Sequence, residues 1–275
     1  MKNGLNKYTP SIKKLLYKSI LYNSWSNKYT PSIKKLDITQ LINTKGNTFE
    51  YNTNDIGICI SYPDLLLASC NNIMKTTDFL TINSISHSFI YKNKLPIILL
   101  VYNNDNIIIT FKGSSSILEF ILDMNIRLRS LNHGSIKVHR GIYKFFSKFK
   151  SELIQKIDDI LLTKNIKNIY FTGHSLGASL SILSSYLLYQ KYSNLQFYNY
   201  CTAAFKVGNK AFVEAYNKLN IIGFIIINKS DIIPKLPISN KYSHIDTKCI
   251  YFNYNKNRIQ NHMSDVYYNF IDNTQ

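Results

Sequence analysis

Ten residues decide the fold of this chain: Ile169-Tyr170-Phe171-Thr172-Gly173-His174-Ser175-Leu176-Gly177-Ala178. An apolar run ends there in Gly-x-Ser-x-Gly, and a long apolar segment follows it. This order predicts a strand, a tight turn with Ser175 at its apex, and a helix. Gly173 and Gly177 flank the serine because a Cβ at either position would collide with neighbouring backbone. The turn would lift the Ser175 hydroxyl above the sheet, which makes it a candidate nucleophile.

Strand-like and helix-like segments alternate on both sides of this turn. Two apolar runs, 95–102 and 107–111, predict a β-hairpin with an Asn/Asp turn between them. Helical spacing over 142–161 predicts one helix that leads into the strand before Ser175. Further elements are expected as helices over 55–70, 176–188 and 206–219 and as strands over 195–201, 221–228 and 249–254. The alternation predicts an α/β fold, a mainly parallel sheet with helices on both faces.

The length and apolar content fit one large domain after a short basic arm. The chain has 275 residues, of which 45% are hydrophobic, and that content is typical of a folded core. Residues 1–45 contain the segment NKYTPSIKKL twice, at 6–15 and 27–36. Two copies are too few for a solenoid, so we interpret 1–45 as a duplicated N-terminal arm and 46–275 as the α/β domain.

The formal net charge of +17 would suit nucleic acid or an anionic membrane surface as a partner. The chain is, however, rich in Asn, Ile, Lys and Tyr, with 21 Tyr against 1 Trp. These residues have A/T-rich codons, so drift in a low-GC genome, such as that of a large DNA virus, explains the excess. No Arg-rich arm or nucleic-acid motif accompanies the lysines, and we expect no nucleic-acid partner.

The sequence has no run of about 20 apolar residues that could cross a bilayer. Its first 25 residues lack the compact apolar core of a secretory signal, so a cytoplasmic location is expected by default. The four cysteines, Cys59, Cys70, Cys201 and Cys249, form no Cys-x-x-Cys pair. The cysteine spacing typical of zinc sites is therefore absent, and we predict free thiols without a metal.

A serine nucleophile needs a base within hydrogen-bond reach and a carboxylate that orients the base. On a strand–turn–helix scaffold of this kind, the chain order is serine, then Asp or Glu, then histidine. Of the six histidines, only His244 and His262 follow Ser175. We favour His262, because a segment after the last strand can fold back over the strand ends, whereas His244 precedes that strand.

Asp231 is the favoured acid because it directly follows the buried strand 221–228. Catalytic groups collect at the carboxyl ends of parallel strands. The alternative is an ordinary turn aspartate ahead of a proline. Asp246 and Asp265 are rivals, although each lies close in sequence to one of the candidate histidines.

Two backbone amides are candidates for holding the oxygen on which negative charge develops. Leu176 would begin the helix after the serine, and its amide would face that oxygen. A second donor is expected in the loop after an earlier strand, where Gly113-Ser114 fits. The alternative is a glycine turn with solvated serines.

The other histidines receive structural interpretations. We expect His174 to pack at the turn and His139 to anchor its loop, while His87 and His133 fit surface polar positions.

Taken together, these segments resemble the class 3, or fungal-type, lipases of the α/β-hydrolase fold over residues 95–270. The family's motifs correspond to Phe111-Lys112-Gly113-Ser114, Val138-His139-Arg140-Gly141-Ile142, Gly173-His174-Ser175-Leu176-Gly177, the run 228–237 and Asn261-His262-Met263. The resemblance implies the triad Ser175, Asp231 and His262, oxyanion donors Ser114 and Leu176, and a noncatalytic His244. Lys112 and the run 203–208 depart from the family pattern, which leaves loop shape and substrate preference open.

The resemblance also implies that the segment from Ser114 to about Ile126 is a lid. A short helix there would carry more apolar surface than one side can bury. It could cover the serine in water and turn its apolar face to lipid. The apolar residues are Ile117, Leu118, Phe120, Ile121, Leu122 and Met124. The alternative is an ordinary core helix.

The resulting prediction is a serine carboxylic ester hydrolase of the lipase type that acts through an acyl-enzyme. Lipid esters are the expected substrates, with triacylglycerol favoured, and transient contact with a lipid interface is expected through the lid. No metal or organic cofactor is needed. Two alternatives stay open: a phospholipase or short-chain esterase, and a noncatalytic lipid-binding module on the same fold.

Overall fold

The computed structural model describes residues 86–113, 126–131, 134–257, 260–264, 266–267 and 270. The predicted arm over 1–45, the predicted helix over 55–70 and the apolar lid residues 117–124 lie outside this set. So do Ser114, His133 and Asp265.

Seven strands form one sheet, in the order β1-β2-β3-β6-β7-β8-β9. Their bounds are β1 (His87–Lys92), β2 (Leu95–Tyr102), β3 (Asn106–Phe111), β6 (Asn168–His174), β7 (Gln196–Thr202), β8 (Ile221–Asn228) and β9 (Cys249–Phe252). The first three strands pair antiparallel, and every pairing from β3 to β9 is parallel. The predicted mainly parallel sheet is therefore confirmed. Two short strands, β4 (Leu128–Ser130) and β5 (Lys137–His139), pair separately.

The predicted hairpin joins β2 to β3. The Oδ1 atom of Asn103 accepts hydrogen bonds from the backbone N–H groups of Asp105 and Asn106, both at 2.9 Å. Such a side-chain bond to backbone two or three residues on is how Asn closes a tight turn. Strand β1 at the edge of the sheet, which pairs with β2, was not predicted.

Four helices are described: α1 (Arg140–Ser147), α2 (Lys150–Thr163), α3 (Leu176–Leu188) and α4 (Lys210–Asn217). The prediction of one helix over 142–161 was wrong, because the helix breaks between α1 and α2. At the break, the Lys148 and Phe149 amides bond to the carbonyl groups three residues back, at 3.2 and 3.0 Å. The Ser147 hydroxyl also donates to Tyr143 O at 2.7 Å, and such a bond to the preceding turn bends helices.

The helix predicted over 206–219 is shorter than expected, because tertiary contacts hold its first residues extended. Val207 O accepts a hydrogen bond from His139 N at 2.7 Å. Gly208 bridges to Val138 and to Ser243. Asn209 then caps α4 by accepting from Phe212 N at 3.1 Å. The helix therefore begins at Lys210, directly after its cap.

The apolar core lies on both faces of the sheet. The larger cluster contains the buried apolar residues of all four helices. The smaller cluster, on the opposite face, includes Tyr170, Tyr198 and Tyr200 from the strands and Tyr267 from the C-terminal helical residues. Strands β6 and β8 run parallel, so the loops at their carboxyl ends, which carry Ser175 and Asp231, emerge at the same edge. Within the described parts of the chain, no helix has the length and apolar character to span a bilayer.

Candidate active site

Ser175 occupies the strained turn between β6 and α3. Its backbone has φ 63 and ψ −116, a conformation that non-glycine residues rarely adopt and that clusters at functional sites. A Cβ on Gly173 would lie 2.5 Å from the carbonyl carbon of Gly177, and one on Gly177 would lie 2.1 Å from Phe111 O. Both glycines are therefore required by close backbone approach. The Ser175 amide donates to Thr202 O at 3.0 Å, which fixes the turn against β7.

Three side chains that are distant in sequence meet at this edge of the sheet. His262 Nε2 lies 2.8 Å from Ser175 Oγ, and His262 Nδ1 lies 2.7 Å from Asp231 Oδ2. A carboxylate can only accept, so Nδ1 carries the proton and Nε2 accepts from the serine hydroxyl. This is the tautomer that a general base for serine needs.

Asp231 is completely buried and is surrounded by donors. Its Oδ1 atom accepts from Ile233 N at 2.9 Å. Its Oδ2 atom accepts from His262 and also from the Tyr267 hydroxyl at 2.7 Å. These bonds offset the cost of burying a charge. Burial and the nearby Asp231 charge raise the pKa of Tyr267 well above its usual value, so this phenol stays a donor.

Tyr267 was not among the predicted site residues, because no local pattern in the sequence indicates which tyrosine reaches the carboxylate.

His174, which was expected to pack at the turn, also contacts the segment that carries His262. Its Nε2 lies 2.9 Å from His262 O, and its Nδ1 lies 2.9 Å from Thr202 Oγ1. Because a carbonyl only accepts, Nε2 is the protonated nitrogen and Nδ1 accepts from the threonine hydroxyl. Burial, and secondarily the neighbouring His262, lower the pKa of His174 to about 3. His174 is therefore neutral near pH 7.

Two asparagines tie the His262 segment to the end of β8. The Asn228 side chain donates to Asn261 O at 3.1 Å, and the Asn261 side chain donates to Ser230 O at 3.3 Å. Both asparagines are almost completely buried. The base is thus held from both sides, by His174 at its own carbonyl group and by Asn228 at the residue before it. Asn228 and Asn261 both lie in segments that resemble motifs of the class 3 lipases, but the contact between them was not predicted.

The rival candidates lie elsewhere. His244 Nε2 is 3.1 Å from Ala204 O, and its Nδ1 is 3.3 Å from Cys249 Sγ. Asp246 accepts from the Tyr251 hydroxyl at 2.8 Å. In the geometry of the described residues, neither group contacts Ser175. Asp265 lies outside those residues.

His139 and His87 have structural surroundings. The Nδ1 atom of His139 accepts from Gly141 N at 3.1 Å and Ile142 N at 3.4 Å, so this buried histidine caps α1 as its anchoring role requires. Burial lowers the pKa of His139 to about 4. His87 is half-buried and packs against the Phe89 ring.

The Leu176 amide, which was predicted to bind the oxyanion, lies at the start of α3. Leu176 is the first residue of α3, and the first amides of a helix have no partner within it and lie at its positive end. The loop after β3 runs beside the turn, since a Cβ on Gly113 would lie 3.2 Å from His174 O. Ser114, the second proposed donor, follows directly but lies outside the described residues.

A serine on a strand–turn–helix apex with a histidine and a buried aspartate defines an α/β-hydrolase fold and a site suited to acyl transfer. The family model of the class 3 lipases matches residues 108–241. This match confirms the resemblance to that family that the motifs predicted.

Curated relatives match part of the chain. Toxin TseL of Vibrio cholerae is 37% identical over 106 residues, which are 38% of this chain and 15% of the toxin. Phospholipase A1-Igamma3 of Arabidopsis thaliana, a chloroplastic protein, is 24% identical over 160 residues, 48% of this chain and 30% of that protein. The chain thus spans less than a third of the length of either relative.

The fold agrees with a solved structure. The triacylglyceride lipase of Rhizomucor miehei superposes with a TM-score of 0.53 and 24% identity, covering 65% of this chain and 74% of that one. At this identity, the similarity shows the α/β-hydrolase fold, which is the fold predicted from the sequence.

Proposed function

We propose that this chain is a serine carboxylic ester hydrolase that acts on lipid esters. The observation that carries the proposal is the continuous hydrogen-bonded path from Ser175 through His262 to Asp231, at 2.8 and 2.7 Å. This path joins a nucleophile, a base and an orienting carboxylate in the geometry that serine acyl transfer requires.

In the proposed reaction, Ser175 Oγ attacks the ester carbonyl carbon while His262 Nε2 takes the hydroxyl proton. Asp231 stabilises the imidazolium that forms. The amides of Leu176 and Ser114 bind the oxyanion, and each donor contributes about 3 kcal/mol to the transition state. His262 then protonates the leaving alcohol, and a water molecule that it activates hydrolyses the acyl-enzyme.

Triacylglycerol is the substrate that we propose within this class. It is supported by the similarity in fold to a triacylglyceride lipase and by the apolar residues of segment 117–124, which suit contact with a lipid interface. The relative named phospholipase A1 makes phospholipids the main alternative. Substrate preference in such enzymes depends on the lid and the pocket walls rather than on the triad.

The test is a hydrolysis panel of emulsified triacylglycerol, phospholipid vesicles and monomeric short-chain esters. We expect wild type to hydrolyse triacylglycerol fastest and Ser175→Ala to lose about 10⁴-fold or more in rate. Ser184→Ala is a matched control, because Ser184 lies in α3 and its hydroxyl donates to Leu180 O and Ser181 O of the same helix. The control should retain its activity.

Different results contradict different parts of the proposal. If phospholipid is hydrolysed faster than triacylglycerol, phospholipid becomes the proposed substrate. If monomeric esters are hydrolysed faster than triacylglycerol, without a gain at an interface, the result favours an esterase. Equal rates for wild type and Ser175→Ala, or a fluorophosphonate probe that fails to label Ser175, would favour the noncatalytic lipid-binding module.

A further inference from the structure

A second cluster of chemically reactive side chains lies at the far edge of the sheet. Cys249 is the first residue of β9, the edge strand, and His244 and Asp246 precede it by a few residues. A short 3₁₀ turn, Asp246–Lys248, leads directly into the strand. Residues three apart eclipse one another in a 3₁₀ turn, and this turn brings Asp246 and Cys249 to the same side.

We propose that His244, Asp246 and Cys249 bind a zinc ion. One ligand atom from each residue lies within 4.8 Å of the other two, and His244 Nδ1 and Cys249 Sγ are already 3.3 Å apart. Zinc bonds to nitrogen and sulfur in a tetrahedral site place neighbouring ligand atoms about 3.5 Å apart. Asp246 is exposed, so its carboxylate can rotate to close the remaining distance.

Neighbouring groups orient two of the three ligands. His244 Nε2 donates to Ala204 O at 3.1 Å, which leaves the lone pair of Nδ1 directed at the sulfur. The Tyr251 hydroxyl donates to Asp246 Oδ1 at 2.8 Å. Hydrogen bonds of this kind, from a ligating histidine to a backbone carbonyl and onto a ligating carboxylate, accompany metal sites in proteins and fix their ligands.

The donor set selects the metal. Nitrogen, sulfur and oxygen together suit Zn²⁺, whereas Mg²⁺ and Ca²⁺ prefer oxygen ligands alone. A thiolate and a carboxylate balance the double positive charge, and the fourth tetrahedral position is left for water. Free thiols without a metal were predicted because the sequence has no Cys-x-x-Cys pair, whereas this site has the pattern His-x-Asp-x-x-Cys with a single cysteine.

Zinc binding requires the Cys249 thiol to lose its proton, which opposes binding. Without metal, the Cys249 thiol also lies 3.3 Å from Ile245 O, to which it can donate. Burial raises the pKa of this thiol to about 12. The thiol proton must therefore be released to solvent when the sulfur binds zinc, so affinity is expected to fall at low pH.

Zinc at this position would join the edge strand to the rest of the sheet. His244 is bonded to Ala204, which follows β7, and Cys249 begins β9, which pairs with β8. The chain after β9 leads to His262. A metal that binds the folded chain but not the unfolded one raises stability, so zinc should stabilise the edge strand from which the His262 segment departs.

The test uses the full chain, purified without an affinity tag and freed of metal with a chelator. Equilibrium dialysis against Zn²⁺ should give one bound ion per chain, and Co²⁺ should give a thiolate charge-transfer band. Loss of a residue that only orients a metal ligand costs about tenfold or more in affinity, so Cys249→Ser and Asp246→Asn, which each remove a ligand, should lower zinc affinity by at least about tenfold. Zinc should raise the thermal midpoint of wild type but not of Cys249→Ser.

Matched controls separate this site from other thiols and carboxylates. Asp158→Asn changes another surface carboxylate bound by a tyrosine hydroxyl, and Cys59→Ser and Cys70→Ser remove the cysteines outside the described residues. All three should bind zinc as wild type does. Absence of stoichiometric zinc in wild type, equal zinc affinity in Cys249→Ser, or loss of zinc in the Cys59 or Cys70 variant would overturn the proposal.

The exposed Asp246→Asn variant keeps the test valid if Cys249→Ser fails to fold. Ser175→Ala should bind zinc normally, so this result is independent of the proposed hydrolysis.

Discussion

His174 Nε2 donates a hydrogen bond to the backbone carbonyl of His262 at 2.9 Å, so the residue next to the proposed nucleophile holds the segment of the proposed base. The two imidazole rings lie with their centroids 4.9 Å apart. Ser175 and His262 are thus joined twice, once through their side chains and once through the neighbour of the serine. This second connection leads to a specific prediction.

Replacing His174 should weaken catalysis without unfolding the chain. A single hydrogen bond contributes about 1 kcal/mol, so His174→Asn should lower kcat/KM by roughly fivefold. The rate of fluorophosphonate labelling at Ser175 should fall by a similar factor, because labelling depends on the same base. Thr202→Val, which removes only the partner of His174 Nδ1, should have a smaller effect. Unchanged labelling in His174→Asn would show that the contact does not position His262.

Removing the Tyr267 hydroxyl should destabilise the fold, because the buried Asp231 carboxylate would lose a donor. An unsatisfied buried group costs about 1–3 kcal/mol, so Tyr267→Phe should lower the free energy of unfolding by that amount in urea denaturation. Tyr192→Phe is the matched control, since its hydroxyl donates to the half-exposed Asp158. We expect a loss below about 1 kcal/mol there. Equal losses in the two variants would contradict a special role for Tyr267.

Ala203 has a backbone φ of 55, where glycine is more stable by about 1 kcal/mol because it has no Cβ. Ala203 and Ala204 are both completely buried. Replacement by glycine removes one buried methyl group at either position, so the loss of apolar burial is the same in the two variants. Ala203→Gly should therefore be less destabilising than Ala204→Gly by about 1 kcal/mol. Chemical denaturation of both variants measures the difference, and equal effects would show that no strain is relieved.

Two buried histidines should make the fold sensitive to acid. The pKa values of His139 and His174 are lowered to about 4 and 3, mainly by burial. A histidine with a lowered folded pKa contributes its full stability above pH 6.5, its ordinary value, and loses it as pH falls towards the folded pKa. The free energy of unfolding should therefore drop between pH 6.5 and 4 by about 1.4 kcal/mol per pH unit for each histidine.

A variant can assign this pH dependence. His139→Asn can still cap α1. It should reduce the slope of the free energy of unfolding against pH by the contribution of one histidine, about 1.4 kcal/mol per pH unit. A slope in His139→Asn that equals the wild-type slope would show that His139 does not titrate with unfolding.

The local elements of the site could be predicted because their signals are short in range. Gly173 and Gly177 surround a serine after an apolar strand, and the observed β6–turn–α3 unit matches that prediction. The break between α1 and α2 escaped prediction, since apolar spacing continues through Lys148 and Phe149. The start of α4 was misplaced because Gly208 pairs with residues far away in sequence, and such pairing overrides local helical preference.

The sequence by itself determined the strand–turn–helix around Ser175, the class of fold, and the candidates Asp231 and His262. These features depend on periodicity and on glycines within a few residues of one another, and on the order of motifs along the chain. Only the tertiary structure decided that Tyr267 reaches Asp231, that His174 holds the His262 backbone, and that His244 lies beside Cys249 and not Ser175. Those contacts depend on how the chain returns to the same edge of the sheet and on which donor faces which acceptor there, and no local pattern of residues encodes that geometry.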